Sequence, residues 1–254
     1  MVRLTVNGKT VEVPEGSTVL QAVRAAGVEL PTLCHHDALT PYGACRLCMV
    51  AIEKPRRALV ASCAYPVEEG MVVRTDDPEA VAARRLVLEL LLSRCPQSDF
   101  IRELAAKEGV TQTRFGPPPP ERAEELCVLC GLCVRVCREV IGAAAIGFIG
   151  RGMERKVGTP FDIQAEACVG CGACAEVCPT GAIKIEDRGD ERILHTWNTV
   201  IKLRACAECG RFFAPEPLDF VQESFPELRE LWELCPECRR KRTASQWLEV
   251  IRGA

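Results

Sequence analysis

The chain is poor in the residues that most enzymes use for chemistry. It has three histidines in 254 residues, and aromatic side chains make up 5%. His35, His36 and His195 have no partner evident along the chain, so no acid–base or nucleophile constellation is legible. No G-x-G-x-x-G motif follows a strand and no Walker loop occurs, which removes the usual nucleotide cradles. No stretch approaches the roughly 18 uninterrupted apolar residues of a membrane span, so no direct membrane insertion is expected. Charge of either sign is nearly balanced, 32 basic against 35 acidic residues for a net −3. That balance gives no general attraction to nucleic acid or to an anionic membrane. The opening Met1-Val2-Arg3-Leu4-Thr5-Val6-Asn7-Gly8 alternates like a strand and lacks the apolar core of a signal peptide. The expected address is the cytoplasm.

What the chain has instead is cysteine, 17 of them. A secreted miniprotein would use such a number for disulfides, but this chain is long and sets its cysteines in tight C-x2-C pairs. In a reducing compartment such pairs are thiolate ligands for soft metals. Four, eight and four of them fall into three patterns, and Cys95 alone is left over.

The expected fold class is α+β, in four segments. Residues 1–78 hold two strands joined at Asn7-Gly8, a helix Val19–Ala26 capped by Ser17 or Thr18, a cysteine loop and a late strand at Val72-Val73-Arg74. That order is the order of a β-grasp 2Fe–2S ferredoxin domain. Residues 79–120 hold a helix, Ala80–Arg94, capped near Asp76 or Asp77 with Pro78 in its first turn. They end in Gly116-Pro117-Pro118-Pro119-Pro120, read as a stiff connector and a boundary. Residues 121–192 carry eight cysteines in two copies of one pattern. Residues 193–254 carry the last four and end in a helical tail with Gln246, Trp247, Val250 and Ile251 on one face.

Cys34, Cys45, Cys48 and Cys63 are spaced C-x10-C-x2-C-x14-C. A 2Fe–2S cluster takes four cysteine thiolates, here three from one wrapping loop and one returning from elsewhere. Gly43 lets the backbone of Gly43-Ala44-Cys45-Arg46-Leu47-Cys48 approach closely. Zinc is the competing occupant, and the strands upstream argue against it. Cys127-x2-Cys130-x2-Cys133-x3-Cys137 recurs as Cys168-x2-Cys171-x2-Cys174-x3-Cys178, and Gly142-Ala143-Ala144-Ala145-Ile146 echoes Gly181-Ala182-Ile183. The repeat matches the bacterial 4Fe–4S ferredoxin run, in which the fourth cysteine of each run ligates the other cluster. The match implies one cluster on Cys127, Cys130, Cys133 and Cys178, and another on Cys168, Cys171, Cys174 and Cys137. Pro179 follows the last cysteine as that pattern expects, whereas Arg138 stands in its place in the first run.

Cys206-x2-Cys209-Gly210 and Cys235-Pro236-x-Cys238 look like two facing zinc knuckles, a small zinc-ribbon-like domain. The segment between them is longer than in the usual ribbon, and a third 4Fe–4S cluster remains the alternative. The basic run Arg239-Arg240-Lys241-Arg242 is read as a solvated helix end, with nucleic-acid binding as its rival.

With these motifs laid out, the chain resembles the N-terminal part of the large iron–sulfur subunit of complex I. It also resembles the small diaphorase iron–sulfur subunits of NAD-linked hydrogenases and formate dehydrogenases. Residues 1–190 carry the resemblance, through Leu30-Pro31-Thr32-Leu33-Cys34, Cys45-Arg46-Leu47-Cys48, the paired runs and Gly147-Phe148-Ile149-Gly150-Arg151-Gly152. The ending looks like the zinc-ribbon tail of some polyferredoxin subunits of formate-hydrogenlyase-type complexes. The resemblance implies a flavin- and NAD(P)-binding diaphorase-like partner at one end and a further redox subunit, a hydrogenase or formate dehydrogenase, at the other. Single electrons would pass between them, in an electron-bifurcating complex or a simpler one. A stand-alone polyferredoxin carrier is the alternative.

One departure stands out. Members of that family carry an extra cluster, on one histidine and three cysteines, just after the helix at 80–94. Here the region reads Leu92-Ser93-Arg94-Cys95-Pro96-Gln97-Ser98-Asp99. Cys95 alone cannot hold a cluster, so the site is expected to be lost and Cys95 to be a plain buried thiol. The wire between the first domain and the paired runs is then expected to be broken or rerouted.

Overall fold

The structure, a computed structural model, describes residues 1–216 and 232–252. By packing, the chain divides into two compact units, Met1–Arg135 with Val177–Ala182, and Val136–Glu176 with Ile183–Ala254. These units cut across the four segments read from the motifs. The chain leaves the first unit just after Cys133 and re-enters it for a few residues around Cys178, so each run contributes cysteines to both units.

The first unit opens with the expected hairpin, β1 (Val2–Val6) and β2 (Lys9–Val13). Asn7 and Gly8 sit at φ 49° and 83°, the left-handed pair that a two-residue turn between twisted strands requires. Helix α1 (Val19–Ala25) is capped by Thr18 in a capping box with Gln21, a device worth about 1 kcal/mol. Strands β3 (Met49–Lys54), β4 (Ala58–Ala61) and β5 (Val72–Arg74) complete a sheet of order β2-β1-β5-β3-β4, with β1 and β5 parallel. Leu4, Val6, Val19, Val23, Val50, Ile52 and Val73 pack α1 onto this sheet.

Helix α2 (Pro78–Arg94) starts where Asp77 accepts from the N–H groups of Glu79 and Ala80, and α3 (Asp99–Lys107) starts at Ser98. Arg84, almost fully buried, ties α2 to the sheet by donating to the carbonyls of Met49 and Thr75, each at 2.9 Å, and pairs with Glu108 beyond α3. Leu88, Ile101 and Ala105 of these helices share a core with Leu33 and Leu47 of the cysteine loop. The proline run lies inside this unit and does not bound it. Ser93 holds the Gly116 carbonyl, and Arg114 pairs with Glu89.

The second unit holds a short hairpin, β6 (Gly147–Ile149) with β7 (Lys156–Gly158), and a meander of β8 (Ile185–Arg188), β9 (Glu191–Leu194), β10 (Thr199–Ala205) and β11 (Phe212–Pro215). Strand β9 straddles the expected boundary at 192, so the sheet runs from the second ferredoxin run into the C-terminal part. The tail is a helix, Pro236–Arg252. Of its expected apolar face only the Trp247 side chain is described, and it is exposed; Gln246, Val250 and Ile251 lie outside the described side chains. No described helix is long and apolar enough to cross a membrane.

Candidate metal centres

All seventeen cysteines are free thiols. Sixteen of them gather into four groups of four, and Cys95 lies in the apolar core beside Cys45 and Cys130.

The first group is built on the edge of the β-grasp sheet. Cys48 leads into β3 and Cys63 follows β4, and Ser62 between them donates its hydroxyl to the Cys48 carbonyl at 2.8 Å. Cys34 and Cys45 come from the irregular loop, where the Cys45 N–H points at Cys34 Sγ at 3.4 Å. Gly43 has φ 64°, and a Cβ there would meet the Ala64 side chain at 3.2 Å, so the loop needs glycine at that point. Cys34, Cys48 and Cys63 are buried. Hydrogen bonds from the Cys45 and Cys63 thiols and from the Cys45 and Ala44 N–H groups drive Cys34 far below an ordinary thiol. Cys48 falls for the same reason, chiefly through Cys63. Cys45 and Cys63 rise as the partners that keep the protons. Such sharing means that four sulfurs occupy one small space, and a thiophilic metal centre would relieve it.

The second group lies in the same unit. Leu129 and Gly131, at φ 54° and 77°, curl the backbone between Cys127 and the short helix α4 (Leu132–Arg135) that carries Cys133. Burial raises the Cys127, Cys130 and Cys133 thiols, Cys130 to about 11, and negative charge on Cys178 raises each further. Cys178 therefore joins this set.

The third group lies in the second unit. Cys137, Cys168, Cys171 and Cys174 line a small pocket walled by Ile141, Ile146, Leu194 and Trp197. Ala145 donates its N–H to Cys137 Sγ at 3.3 Å. Burial raises Cys168 and Cys174, and Cys137 and Cys171 act on Cys168 by charge. A sulfur-walled apolar cavity with backbone N–H groups aimed at sulfur fits an iron–sulfur cluster. Cys137 thus shares a pocket with Cys168, Cys171 and Cys174, and charge on Cys178 reaches Cys127, Cys130 and Cys133.

The fourth group, Cys206, Cys209, Cys235 and Cys238, has all its sulfurs within 4.8 Å of one another. Cys206 follows β10, and Gly210 at φ 70° turns the chain so that its N–H meets the Cys206 carbonyl. The Cys235 N–H donates to Cys206 Sγ at 3.2 Å and the Cys238 N–H to Cys235 Sγ at 3.5 Å. The first of these is the main reason Cys206 drops to about 6. The chelate would be closed in the manner of a structural site.

Cys95 is fully buried in the core of Leu33, Leu47, Leu88 and Ile101, and burial pushes its thiol up to about 12. Its burial is as expected. The histidines correct the sequence reading, because each has a partner. His35 meets Asp37 at 3.0 Å, His195 meets Glu186 at 3.2 Å, and His36 accepts the Ala38 N–H. These are surface pairings brought about by turns and strand register, and none forms a catalytic constellation.

Cys130 and Val128 pack in the same apolar cluster as Cys45, Leu33 and Leu47, and charge on Cys34 reaches the Cys130 thiol. Arg135, two residues beyond Cys133 and almost fully buried, donates to the Cys34 carbonyl at 2.8 Å and to the Thr40 carbonyl, and lies over the Tyr42 ring. Side chains of the first and second groups thus share one apolar core. Nothing in the spacing marks Arg135, nor Trp197 beside the third group; only the fold makes them neighbours of the cysteines.

Residues 1–78 match the family of 2Fe-2S iron-sulfur cluster binding domains, and residues 161–184 match that of 4Fe-4S binding domains. Two iron–sulfur binding domains are present. The NADH-ubiquinone oxidoreductase 78 kDa subunit of Candida albicans is 37% identical over 180 residues, 62% of this chain and 25% of that protein. A subunit of the NADH-quinone oxidoreductase of Rickettsia prowazekii is 37% identical over 177 residues, 62% of this chain and 26% of that protein. The chain thus spans about a quarter of the length of the curated relatives it matches. Among solved structures, a chain of an NAD+-reducing [NiFe]-hydrogenase in the H2-reduced state aligns with a TM-score of 0.60 and 28% identity, covering 71% of this chain and 86% of that one. The resemblance drawn from the cysteine motifs therefore holds, to the NADH-quinone and NADH-ubiquinone oxidoreductase subunits and to the hydrogenase alike.

Proposed function

We propose that the chain is an iron–sulfur electron-transfer subunit of a multisubunit NAD(P)-linked oxidoreductase, relaying single electrons between a flavoprotein partner and another redox subunit. The observation that carries this reading is the assembly of three four-cysteine groups, buried or half-buried except at exposed Cys171, with two of them sharing one apolar core. Cys34, Cys45, Cys48 and Cys63 would hold one 2Fe–2S cluster. Cys127, Cys130, Cys133 and Cys178 would hold one 4Fe–4S cluster, and Cys168, Cys171, Cys174 and Cys137 a second. Clusters so held supply one-electron chemistry, while the chain supplies ligation, burial and docking. The relatives' membership in NADH-linked complexes and the hydrogenase likeness favour a bound subunit over a free polyferredoxin.

At the fourth group the geometry favours zinc. A tetrahedral site with Zn–S of about 2.3 Å sets sulfur–sulfur edges near ~3.8 Å, and Cys209 Sγ lies 3.7 Å from Cys235 Sγ. A cubane holds its thiolates outside its iron corners and needs them farther apart. Zinc there would clamp the chain termini of the meander and carry no electrons.

Iron, zinc and acid-labile sulfide measured on anaerobically purified protein test the metal content. About ten irons and one zinc per chain are expected from two plus four plus four irons. About fourteen irons without zinc would replace the clamp by a third cubane. Affinity purification from the native cell tests the assignment to a complex: a flavin-containing NAD(P)-reactive partner should come with the chain. A fully loaded monomer without one would leave the free carrier as the better reading.

A further inference from the structure

Trp197 is 2% exposed, and its indole nitrogen is fully enclosed with no hydrogen-bond partner of ordinary geometry. Native folds keep few such groups, and each asks for an explanation. The ring does not lie in a purely hydrocarbon core. It forms part of the cavity wall with Cys137, Cys168, Cys171 and Cys174. The same wall carries the Cys174 thiol, whose rise on burial the indole partly opposes.

The framework holds the ring in place. Trp197 ends the turn His195–Trp197, and Asn198 follows in the left-handed region at φ 48°. Asn198 donates to the Asp162 carbonyl at 3.2 Å, and fully buried Thr199 donates its hydroxyl to the Trp197 carbonyl at 2.9 Å. Leu194, buried, completes the wall. An indole N–H can only donate, so its effect on a sulfur has one sign: it favours negative charge there.

We propose that Trp197 sets the reduction potential of the cluster held by Cys168, Cys171, Cys174 and Cys137, by donating its Nε1–H to Cys174 Sγ. The proposal rests on the ligand assignment made above. One electron enters, from dithionite in the test below; no bond is made or broken, and the added charge spreads onto the thiolates. A fixed N–H aimed at one of them stabilises the reduced form and raises the potential, as hydrogen bonds to cluster sulfurs do.

Full-length protein, purified anaerobically with its clusters, is titrated with dithionite and followed by electron paramagnetic resonance. In Trp197→Phe one 4Fe–4S signal should become harder to reduce, its reduction equilibrium falling about tenfold, or about 59 mV for one electron. The other 4Fe–4S signal and the 2Fe–2S signal should stay in place. Unchanged potentials for all three overturn the proposal. A second measurement needs no variant: wild-type protein carrying tryptophan labelled with nitrogen-15 in the indole should show a nitrogen hyperfine coupling on one reduced 4Fe–4S cluster. Absence of that coupling overturns the proposal even where the variant fails to fold. Iron counted beforehand separates the two levels. Wild-type protein with fewer than two 4Fe–4S clusters overturns the ligand assignment and this proposal together, whereas full iron with an unshifted potential overturns this proposal alone.

Discussion

Each compact unit holds one four-cysteine group drawn from the ferredoxin repeat and one drawn from elsewhere, yet the two units use the pairing differently. In the first, the repeat's cysteines and the β-grasp loop share one apolar core, and Arg135 spans both by holding the Cys34 carbonyl. Charge on Cys34 is felt at Cys130. In the second unit the repeat's cysteines line their own cavity with Trp197, while Cys206, Cys235 and Cys238 form a separate small core with Leu234. On the proposed reading, the first unit would serve passage between two centres, and the second one redox centre and one clamp. Spacing that is identical in the two runs therefore acquires different roles from what packs around it.

The sharpest way to break this comparison is to remove ligands in pairs and count iron. Cys127→Ser combined with Cys178→Ser should cost about four irons, no more than either alone, because both serve one cluster. Cys174→Ser combined with Cys178→Ser should cost about eight. The opposite pattern would mean that each run holds its own cluster and that the exchange between units does not exist.

Next in size is the metal clamp. Stripping zinc with a chelator, or Cys206→Ser, should unfold the C-terminal knuckles, since binding free energy at such a site is folding free energy. Iron content and both 4Fe–4S signals should survive, read by metal analysis and electron paramagnetic resonance. Loss of the third group's cluster on chelation would show that the second unit is not divided as described.

Arg135→Met tests the junction in the first unit. It leaves the buried Cys34 carbonyl without the Arg135 donor, a loss of about 1–3 kcal/mol. A lower melting temperature and slower electron equilibration between the 2Fe–2S and the adjoining 4Fe–4S signals after a reducing pulse are expected, with iron content unchanged. Equal equilibration rates would remove Arg135 from the passage.

The smallest effect is expected at Cys95. Cys95→Ala should keep every iron and cost about 1 kcal/mol of stability, the scale of a minor core truncation. Loss of four irons would make Cys95 a ligand after all.

Much of this was readable along the chain because its signals are local. The Asn7-Gly8 turn, the Asp77 cap with Pro78 behind it, and the C-x2-C spacings each act over a few residues, and the elements form where those residues stand. The partners of His35 and His195 were not readable, since a turn and a strand register bring Asp37 and Glu186 to them. The proline run shows the limit from the other side. Its stiffness was legible, but whether it divides the chain depends on what packs across it, and Ser93 and Arg114 hold it within the first unit.

The sequence by itself determined the kind of metal chemistry available, because thiolate count and spacing decide which soft metals can be chelated and a repeat announces itself by register. Only the tertiary structure decided how the centres relate. Burial, the path of the chain back to Cys178, and the arrival of Arg135 and Trp197 beside sulfurs distant in sequence are sums over long-range contacts, and no local spacing encodes them.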